Sequence, residues 1–372
     1  MGVIKGIELD DVELSGERLT LRRWRESDID DVVAIMRDHS MYEFLALPDP
    51  YTPEVARAFV TDLGHEGRGS GTGLGCAVVE RTSGRLVGAA ALRLGDAPNI
   101  GYWTAPGARG HGYAAEATRV LAAWGFGTLG LARIGLDCDV ANLASARTAL
   151  TAGFAFEGVA RDGATAAGQP VDLARFGRVA GDPGQPLTPA FPPLPPGGLS
   201  DATIVVRATT PADAAALGAL ARDPDVVGWG FTGSTPEQAI WDRRARRAGL
   251  DWLVGTNAPM TIVDAATGSV AGEISLRRTG PPMVGDLGYS VAPAFRGRSY
   301  TARALRLVSA WAFDTGFVRL QLGAKAENIA SQRAAERAGF VRTGTAPRSL
   351  RNPDGTFSAE ARYALLSDTL NR

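Results

Sequence analysis

The stretch TAPGARGHGYAAEA, from Thr104 to Ala117, places an arginine and two glycines directly before an alanine-rich run that favours a helix. Glycine at 110 and 112 permits a tight turn, and a helix that begins just after it leaves its first N–H groups unpaired. Such a strand–turn–helix junction binds anions, phosphates in particular. Arg109 adds a fixed positive charge. On its own the stretch therefore indicates either a phosphate-binding turn or an ordinary surface turn.

A second stretch of the same design, VAPAFRGRSYTARA, runs from Val291 to Ala304. Two small residues of the first stretch are replaced by larger ones in the second: Ser299 stands in the place of Gly112, and Thr301 in the place of Ala114. A Cβ at the glycine position disfavours positive φ and crowds an approaching phosphate. The first copy is therefore predicted to bind phosphate better than the second.

The two stretches belong to a longer repeat. GYWTAP at 101–106 matches GYSVAP at 288–293 with an offset of 187 residues. ANLASARTALTAGF at 141–154 matches ENIASQRAAERAGF at 327–340 with an offset of 186. Because the matches keep their order at almost one offset, the sequence predicts an internal duplication.

A proline-rich segment, AGDPGQPLTPAFPPLPPGGLSD at 180–201, separates the copies. Its composition is typical of a semi-rigid, polyproline-type linker. A chain of 372 residues is also too long for one core. We therefore predict an N-terminal domain at 1–179, a linker at 180–201 and a C-terminal domain at 202–372.

Each copy has the same order of predicted elements: a strand, a helix, two or three strands, the turn motif, a helix, a strand and a helix. The last helix stops at Gly153 in the first copy and at Gly339 in the second. Strands that alternate with helices in this way predict an α/β fold.

The composition narrows the function classes. The net charge of −1 gives no reason to expect a nucleic-acid partner. No run of 18 apolar residues occurs and the start resembles no signal peptide, so we expect no membrane partner and a cytoplasmic location. Cys76 and Cys138 form no metal-binding pattern, so we expect no metal and two reduced, buried thiols.

The motifs together resemble the GNAT superfamily of acetyl-CoA-dependent N-acetyltransferases, most closely the branch that acetylates N-terminal amines of ribosomal proteins. The residues that carry the resemblance are the run 109–114 with Asn142, Ser145 and the pair Gly153-Phe154. It extends over both copies, at 17–179 and 202–370. It implies two tandem domains, each a mixed twisted sheet flanked by helices on both faces, and acetyl-CoA as the acyl donor.

The resemblance also implies how acetyl-CoA is bound. The backbone of one strand pairs with the pantetheine arm and helps to hold the thioester oxygen, the turn holds the diphosphate, and an asparagine helps to hold the arm. The residues so implied are Tyr102, Trp103, Thr104, Arg109, Gly110, His111, Gly112, Tyr113, Ala114, Ala115 and Asn142.

Departure of the thiolate is assisted in many GNAT enzymes by a tyrosine, but that position holds Ala149 in the first copy and Ala335 in the second. The resemblance to the ribosomal-protein branch implies a serine instead, at Ser145 and Ser331. The alternative is that both serines only cap their helices.

The general base is less well marked. An acidic residue near the start of the cofactor-binding strand is expected, and the copies hold Asn99 and Asp286 there. Asp137 and Asp139 are alternatives in the first copy, and Glu273 in the second. Each carboxylate has an alternative role as a solvated group at the end of a strand. We name Ser145, Asp286 and Ser331 as catalytic candidates.

The acceptor cleft is implied to lie at the first two helices of each copy. Aromatic side chains there suit a hydrophobic or ring-bearing amine, although some belong to the core: Tyr42, Phe44, Tyr51, Trp229, Phe231, Trp241 and Trp252. Acidic side chains either attract a cationic amine or form a solvated face: Asp28, Asp30, Asp31 and Glu43.

The sequence therefore predicts an acetyl-CoA-dependent N-acetyltransferase that acts by direct attack of the amine, as a monomer or homodimer. The acceptor is a small-molecule amine or a protein N-terminus. Two alternatives remain: a non-catalytic acyl-CoA-binding sensor or scaffold, and a transferase of another acyl or aminoacyl group.

Overall fold

The computed structural model describes residues 9, 12–166, 168–230, 237–352 and 354–369. The chain divides into two compact units, Met1–Thr188 and Pro189–Arg372, and each unit has its own eight-stranded sheet. Within the described residues, no helix is long and apolar enough to cross a membrane.

The first unit alternates strands and helices as its sequence pattern predicts. Its strands are β1 (Leu14–Ser15), β2 (Leu19–Arg22), β3 (Gly73–Glu80), β4 (Leu86–Arg93), β5 (Asn99–Thr104), β6 (Arg133–Asp139), β7 (Ala155–Ala166) and β8 (Gln169–Val179). Its helices are α1 (Ile29–Met36), α2 (Pro53–Ala58), α3 (Gly64–Ser70), α4 (Tyr113–Gly127) and α5 (Leu143–Thr151).

The second unit repeats this order. Its strands are β9 (Leu199–Ser200), β10 (Ile204–Ala208), β11 (Ala258–Asp264), β12 (Val270–Arg278), β13 (Val284–Val291), β14 (Arg319–Lys325), β15 (Val341–Arg351) and β16 (Phe357–Leu366). Its helices are α6 (Ala214–Arg222), α7 (Pro224–Trp229), α8 (Gln238–Val254), α9 (Tyr300–Asp314) and α10 (Ile329–Arg337).

The two sheets have the same topology. The strand orders are β1-β2-β3-β4-β5-β6-β8-β7 and β9-β10-β11-β12-β13-β14-β16-β15. Neighbouring strands are antiparallel except for the parallel pairs β5–β6 and β13–β14, so both sheets are mixed. The predicted fold, two tandem α/β domains of this kind, is confirmed.

The parallel pair in each sheet is short, and this shortness shapes the candidate site. Between β5 and β6 the pairing comprises Asn99 opposite Gly135. Between β13 and β14 it runs from Val284 to Asp286. Beyond these points the rest of β5 and of β13 has an edge without a partner strand among the described residues, and an extended ligand can pair with such an edge.

Part of the proline-rich segment packs onto the second unit. Phe191 is 1% exposed and stacks on Phe317, with ring centroids 6.3 Å apart. Leu199–Ser200 forms the edge strand β9, paired with β10. The domain boundaries drawn from the sequence stay a prediction, and the apolar side chains of this segment contribute to the core.

Candidate functional site

The turn before α4 forms a cradle of backbone donors. Gly110 and Gly112 have φ values of 80° and 77°, in the left-handed region that favours glycine. Gly112 is the N-cap of α4, and no side chain caps this end among the described residues. The N–H groups of residues 113–115 therefore have no carbonyl of the helix to bond, and they are available to an anion.

The side chains of the cradle point away from these donors. The exposed ring of His111 stacks on Tyr113, with centroids 5.6 Å apart. Tyr113 is buried and its hydroxyl donates to Glu80. Ala115 is 4% exposed. Tyr113 and Ala115 are therefore placed to contribute backbone N–H groups to a ligand, while their side chains hold the helix against the sheet.

The second cradle keeps the same backbone shape despite its serine. Gly297 has φ 75° and Ser299 has φ 64°, so Ser299 adopts the conformation of Gly112. A non-glycine residue there costs about 1 kcal/mol or more. The turn thus accommodates the Cβ of Ser299, which the sequence predicts to be unfavourable there, but its backbone is strained.

The arginines of the two cradles, Arg109 and Arg296, differ in the partners that their side chains bind. Arg109 donates to Ser40 Oγ at 2.9 Å and to the Ser40 carbonyl at 3.3 Å, both uncharged oxygens. Arg296 forms ion pairs with Asp225 at 2.8 Å and with Asp223 at 3.6 Å. The charge of Arg109 acts on Asp38, whose pKa is lowered mainly by hydrogen bonds from Ser40 and to a smaller extent by Arg109. The charge of Arg296 is therefore the more fully offset of the two.

The first turn of the helix after each cradle, α4 or α9, carries one residue of an ion pair. The helix supplies the acidic residue in the first unit and the basic residue in the second. Glu116 is 4% exposed and accepts from Arg18 Nε at 2.8 Å and from the Arg18 backbone N–H at 2.7 Å. Arg18 also donates to the His111 carbonyl at 2.9 Å, which fixes the turn. In α9 the equivalent pair is Arg303 with Asp201, at 2.7 Å.

Sequence reasoning missed both pairs. The available signal was the exchange of glutamate for arginine at an offset of 187, Glu116 to Arg303, within a repeat that otherwise matches. A charge reversal inside a packed helix requires a compensating change in its partner.

The strand implied to hold pantetheine has distinct faces. Tyr102, Trp103 and Thr104 pair with β4 on one side and have no β6 partner on the other among the described residues. Trp103 stacks on Trp24 with centroids 6.3 Å apart, on the side of α1 and α2. Tyr102 points to the opposite face, towards α5. Backbone groups at the free edge of β5 thus suit an extended arm.

Helix α5 begins with a contact between its two candidate residues. The Asn142 side chain accepts from the Ser145 N–H at 3.0 Å and caps the helix. Asn328 does the same for Ser331 in the second unit, at 3.1 Å. The alternative that the serines cap these helices is therefore wrong.

In each unit the hydroxyl of the serine, Ser145 or Ser331, contacts a tyrosine. Ser145 Oγ lies 2.8 Å from Tyr102 Oη, and Ser331 Oγ lies 2.8 Å from Tyr289 Oη. Burial raises the pKa of the Tyr102 and Tyr289 phenols, so both stay protonated at neutral pH.

The candidate carboxylates are spread over both units. Burial raises the pKa of Asp286, whose Oδ1 lies 3.3 Å from Arg277. Burial also raises the pKa of Asp137, opposed by the charge of Arg175. Burial likewise raises the pKa of Glu273, which accepts from Ser290 Oγ at 3.3 Å. Because Ser145 lies in the first unit and Asp286 and Ser331 in the second, the three catalytic candidates do not belong to one unit.

A cavity lies between α1 and α2, where the resemblance implies the acceptor cleft. It has a volume of about 270 Å³ and is lined by Arg37, His39, Tyr42, Asp49, Pro50, Tyr51, Thr52 and Pro53. Phe44 is 38% exposed. The hypothesis that Asp28 attracts an amine is wrong, because Asp28 is buried and forms an ion pair with Arg22 at 2.7 Å.

In the second unit the aromatic candidates divide between core and surface. Trp241 is buried and Trp252 packs against the core, as the alternative reading of these residues predicts. Trp229 is exposed, and Phe231 lies outside the described residues.

Comparison with known proteins gives a family. The sequence model described as "Acetyltransferase (GNAT) domain" matches residues 18–155 and 203–341. A curated relative, the "Uncharacterized N-acetyltransferase p20" of Bacillus licheniformis, is 27% identical over 169 residues, which are 43% of this chain and 92% of the relative.

Solved structures with a similar fold each cover about half of the chain. A putative ribosomal-protein-serine acetyltransferase from Vibrio cholerae is 24% identical, covers 46% of this chain and 98% of its own, and has a TM-score of 0.41. Mycobacterium smegmatis RimJ in complex with CoA-disulfide is 19% identical, with coverages of 50% and 93% and a TM-score of 0.43. Vibrio cholerae spermidine N-acetyltransferase with CoA and spermine is 15% identical, with coverages of 46% and 100% and a TM-score of 0.42.

Proposed function

Since this chain belongs to the GNAT acetyltransferase family, we propose that it is an N-acetyltransferase whose first unit transfers the acetyl group of acetyl-CoA to an amine. One observation carries the proposal. Among the described residues, the N-terminus of α4 has no side-chain cap and part of the β5 edge has no partner strand, and the two lie in succession, joined by the turn at 105–112. Together they offer donors for a diphosphate and an edge for an extended amide-containing arm.

Acetyl-CoA supplies a thioester, and the residues of the first unit bind and orient it. The cradle donors and Arg109 hold the diphosphate, and the edge of β5 at Tyr102–Thr104 aligns the arm. Ser145 offers a hydroxyl from the start of α5. An α-amine has a pKa near ~8 and is partly neutral at cytosolic pH, so a weak base suffices.

The acceptor is a small-molecule amine or a protein N-terminal amine. The cavity between α1 and α2 supports this proposal, because its tyrosines offer flat apolar faces for an amine, while Asp49 and Arg37 contribute charges of opposite sign. Proteins that modify ribosomal proteins and spermidine are among those with a similar fold. We propose a cytoplasmic monomer or homodimer.

The second unit is proposed to be weakened in cofactor binding and mainly structural. Two features support this: the strained Ser299 with its side chain at the cradle, and the ion pairs that offset the charge of Arg296. Ser331 and Asp286 would then have no part in the turnover of the first unit.

A thiol-release assay with acetyl-CoA and a panel of polyamines, amino acid amides and N-terminal peptides tests the function. We expect release of CoA that depends on at least one class of amine. Tight cofactor binding without turnover on any amine would instead favour a sensor or scaffold. If acetyl-CoA fails to protect the chain from thermal unfolding, a different acyl donor must be sought.

A further inference from the structure

The contact between Tyr102 and Ser145 joins β5 to α5 at the candidate site. Tyr102 lies on the part of β5 that has no β6 partner among the described residues, and Ser145 lies in the first turn of α5. The phenol oxygen is 2.8 Å from Ser145 Oγ and 3.2 Å from the Ser145 carbonyl oxygen. The pair therefore links β5 to the first turn of α5.

Each hydroxyl has one proton, so the direction of this bond decides what the serine can do. If the phenol donates to Ser145 Oγ, the serine proton is left for another acceptor, either the neighbouring Cys138 sulfur or a bound ligand. If the phenol donates to the carbonyl instead, the serine proton is used on the phenol oxygen. The 2.8 Å contact between the two hydroxyl oxygens is present in both arrangements, and the first is the one that leaves the serine proton for a ligand. Burial keeps the phenol protonated, so its donor proton is retained as the pH rises.

We propose that Tyr102 is a positioning residue, and that its hydroxyl holds Ser145 so that the serine O–H donates a hydrogen bond to the sulfur of bound CoA. The proposal rests on the proposed function of the first unit. Without the phenol, a serine in the first turn of a helix can turn its hydroxyl towards nearby backbone carbonyls.

The hydrogen bond acts on the departing sulfur. As the C–N bond to the amine forms, the C–S bond breaks and its electron pair goes to the sulfur. The amine releases one proton to solvent, and CoA leaves as a thiolate that water later protonates. A hydrogen bond donated to the thiolate stabilises the product side of this step and lowers the barrier.

The duplication supplies a matched control. Tyr289 makes the same contact with Ser331, at 2.8 Å to Oγ and 3.4 Å to the carbonyl oxygen. Tyr289→Phe therefore removes the same phenol from an equivalent packing environment, in the unit to which the proposed function assigns no turnover. Any loss of local stability should be similar in Tyr102→Phe and Tyr289→Phe.

The first test uses CoA itself and needs no turnover. The thiolate absorbance of bound CoA is titrated against pH in the wild type, Tyr102→Phe, Tyr289→Phe and Ser145→Ala. A hydrogen bond to the thiolate lowers the pKa of the bound thiol. We expect Tyr102→Phe and Ser145→Ala to raise the midpoint by about half a pH unit, and Tyr289→Phe to leave it unchanged. An unchanged midpoint in either first-unit variant would overturn the proposal.

The second test is kinetic. With an amine that the wild type acetylates, we expect Tyr102→Phe to lower kcat about tenfold with little change in the KM for acetyl-CoA. Ser145→Ala should lower kcat by a similar factor, and the double variant should be no worse than either. Equal effects of Tyr102→Phe and Tyr289→Phe would show a structural role and refute the inference. A wild type that binds CoA without turnover would refute the proposed function, while the titration still decides the role of Tyr102.

Discussion

Gly112→Glu will lower the affinity of the first unit for acetyl-CoA by about 100-fold and reduce acetyl transfer at subsaturating acetyl-CoA by a similar factor. Two effects add. The φ of 77° is unfavourable for any residue with a Cβ, and the new carboxylate would stand at the helix N-terminus where the diphosphate is to bind. Together they cost about 3 kcal/mol, which corresponds to about 100-fold. Initial rates across a series of acetyl-CoA concentrations measure the effect.

Ser299→Glu is the matched control for this variant. It introduces the same carboxylate at the equivalent position of the second cradle, where Ser299 already holds the left-handed conformation. We expect it to change initial rates by less than about twofold. If Ser299→Glu inactivates the protein and Gly112→Glu does not, the second unit is the enzyme and Asp286 becomes its leading candidate base.

Arg18→Met will destabilise the first unit by about 2–3 kcal/mol. Among the described residues it leaves the buried Glu116 carboxylate with the Arg18 backbone N–H as its one donor, and an uncompensated buried charge is costly. The Arg18 side chain is 46% exposed, so part of the pair is screened by water and we place the loss below that of a fully buried pair. Hydrogen exchange of peptides within α4, measured by mass spectrometry, reports the stability of this unit separately from the other.

Two further variants test whether the buried charge of Glu116 causes this loss of stability. Adding Glu116→Gln to Arg18→Met should recover part of the lost protection, because no buried charge remains. Asp201→Ala removes the partner of Arg303 in α9, but the Arg303 side chain is 34% exposed and reaches water. We therefore expect Asp201→Ala to cost less than about 1 kcal/mol. Equal losses from Arg18→Met and Asp201→Ala would contradict the account.

The sequence predicted those parts of the site whose signal is local. The glycines before α4 need positive φ, and a turn of this kind followed by a helix is readable from adjacent residues alone. The repeat offset predicted two domains of one fold. Asn142, which the resemblance implies to hold the pantetheine arm, caps α5, a role that one of the two alternatives gave to Ser145.

Contacts between distant elements could not be read in this way. The Tyr102–Ser145 contact joins residues 43 positions apart, and Arg18 and Glu116 are separated by 98. The first depends on where α5 lies against β5, and the second on how α4 packs against β1 and β2, which no local pattern specifies. Asp28 is another example of a contact that the sequence does not specify. A carboxylate at the polar start of a helix is expected to be exposed, and its burial depends on the ion pair with Arg22.

Comparison of the units shows how a duplicated site can diverge without loss of fold. The reversed pair, Arg18–Glu116 in one unit and Asp201–Arg303 in the other, keeps a charge contact at the base of the cradle helix while the signs are exchanged. The change around Arg296 is different in kind, because Arg296 forms ion pairs with two carboxylates whereas Arg109 donates to the uncharged oxygens of Ser40.

The central claim is that one of the two cradles binds acetyl-CoA. Calorimetric titration of the full chain with acetyl-CoA tests it most directly, with Gly112→Glu and Ser299→Glu measured alongside. The account predicts one molecule bound per chain, lost in Gly112→Glu and retained in Ser299→Glu. Two molecules per chain, or one molecule that only Ser299→Glu removes, would contradict it.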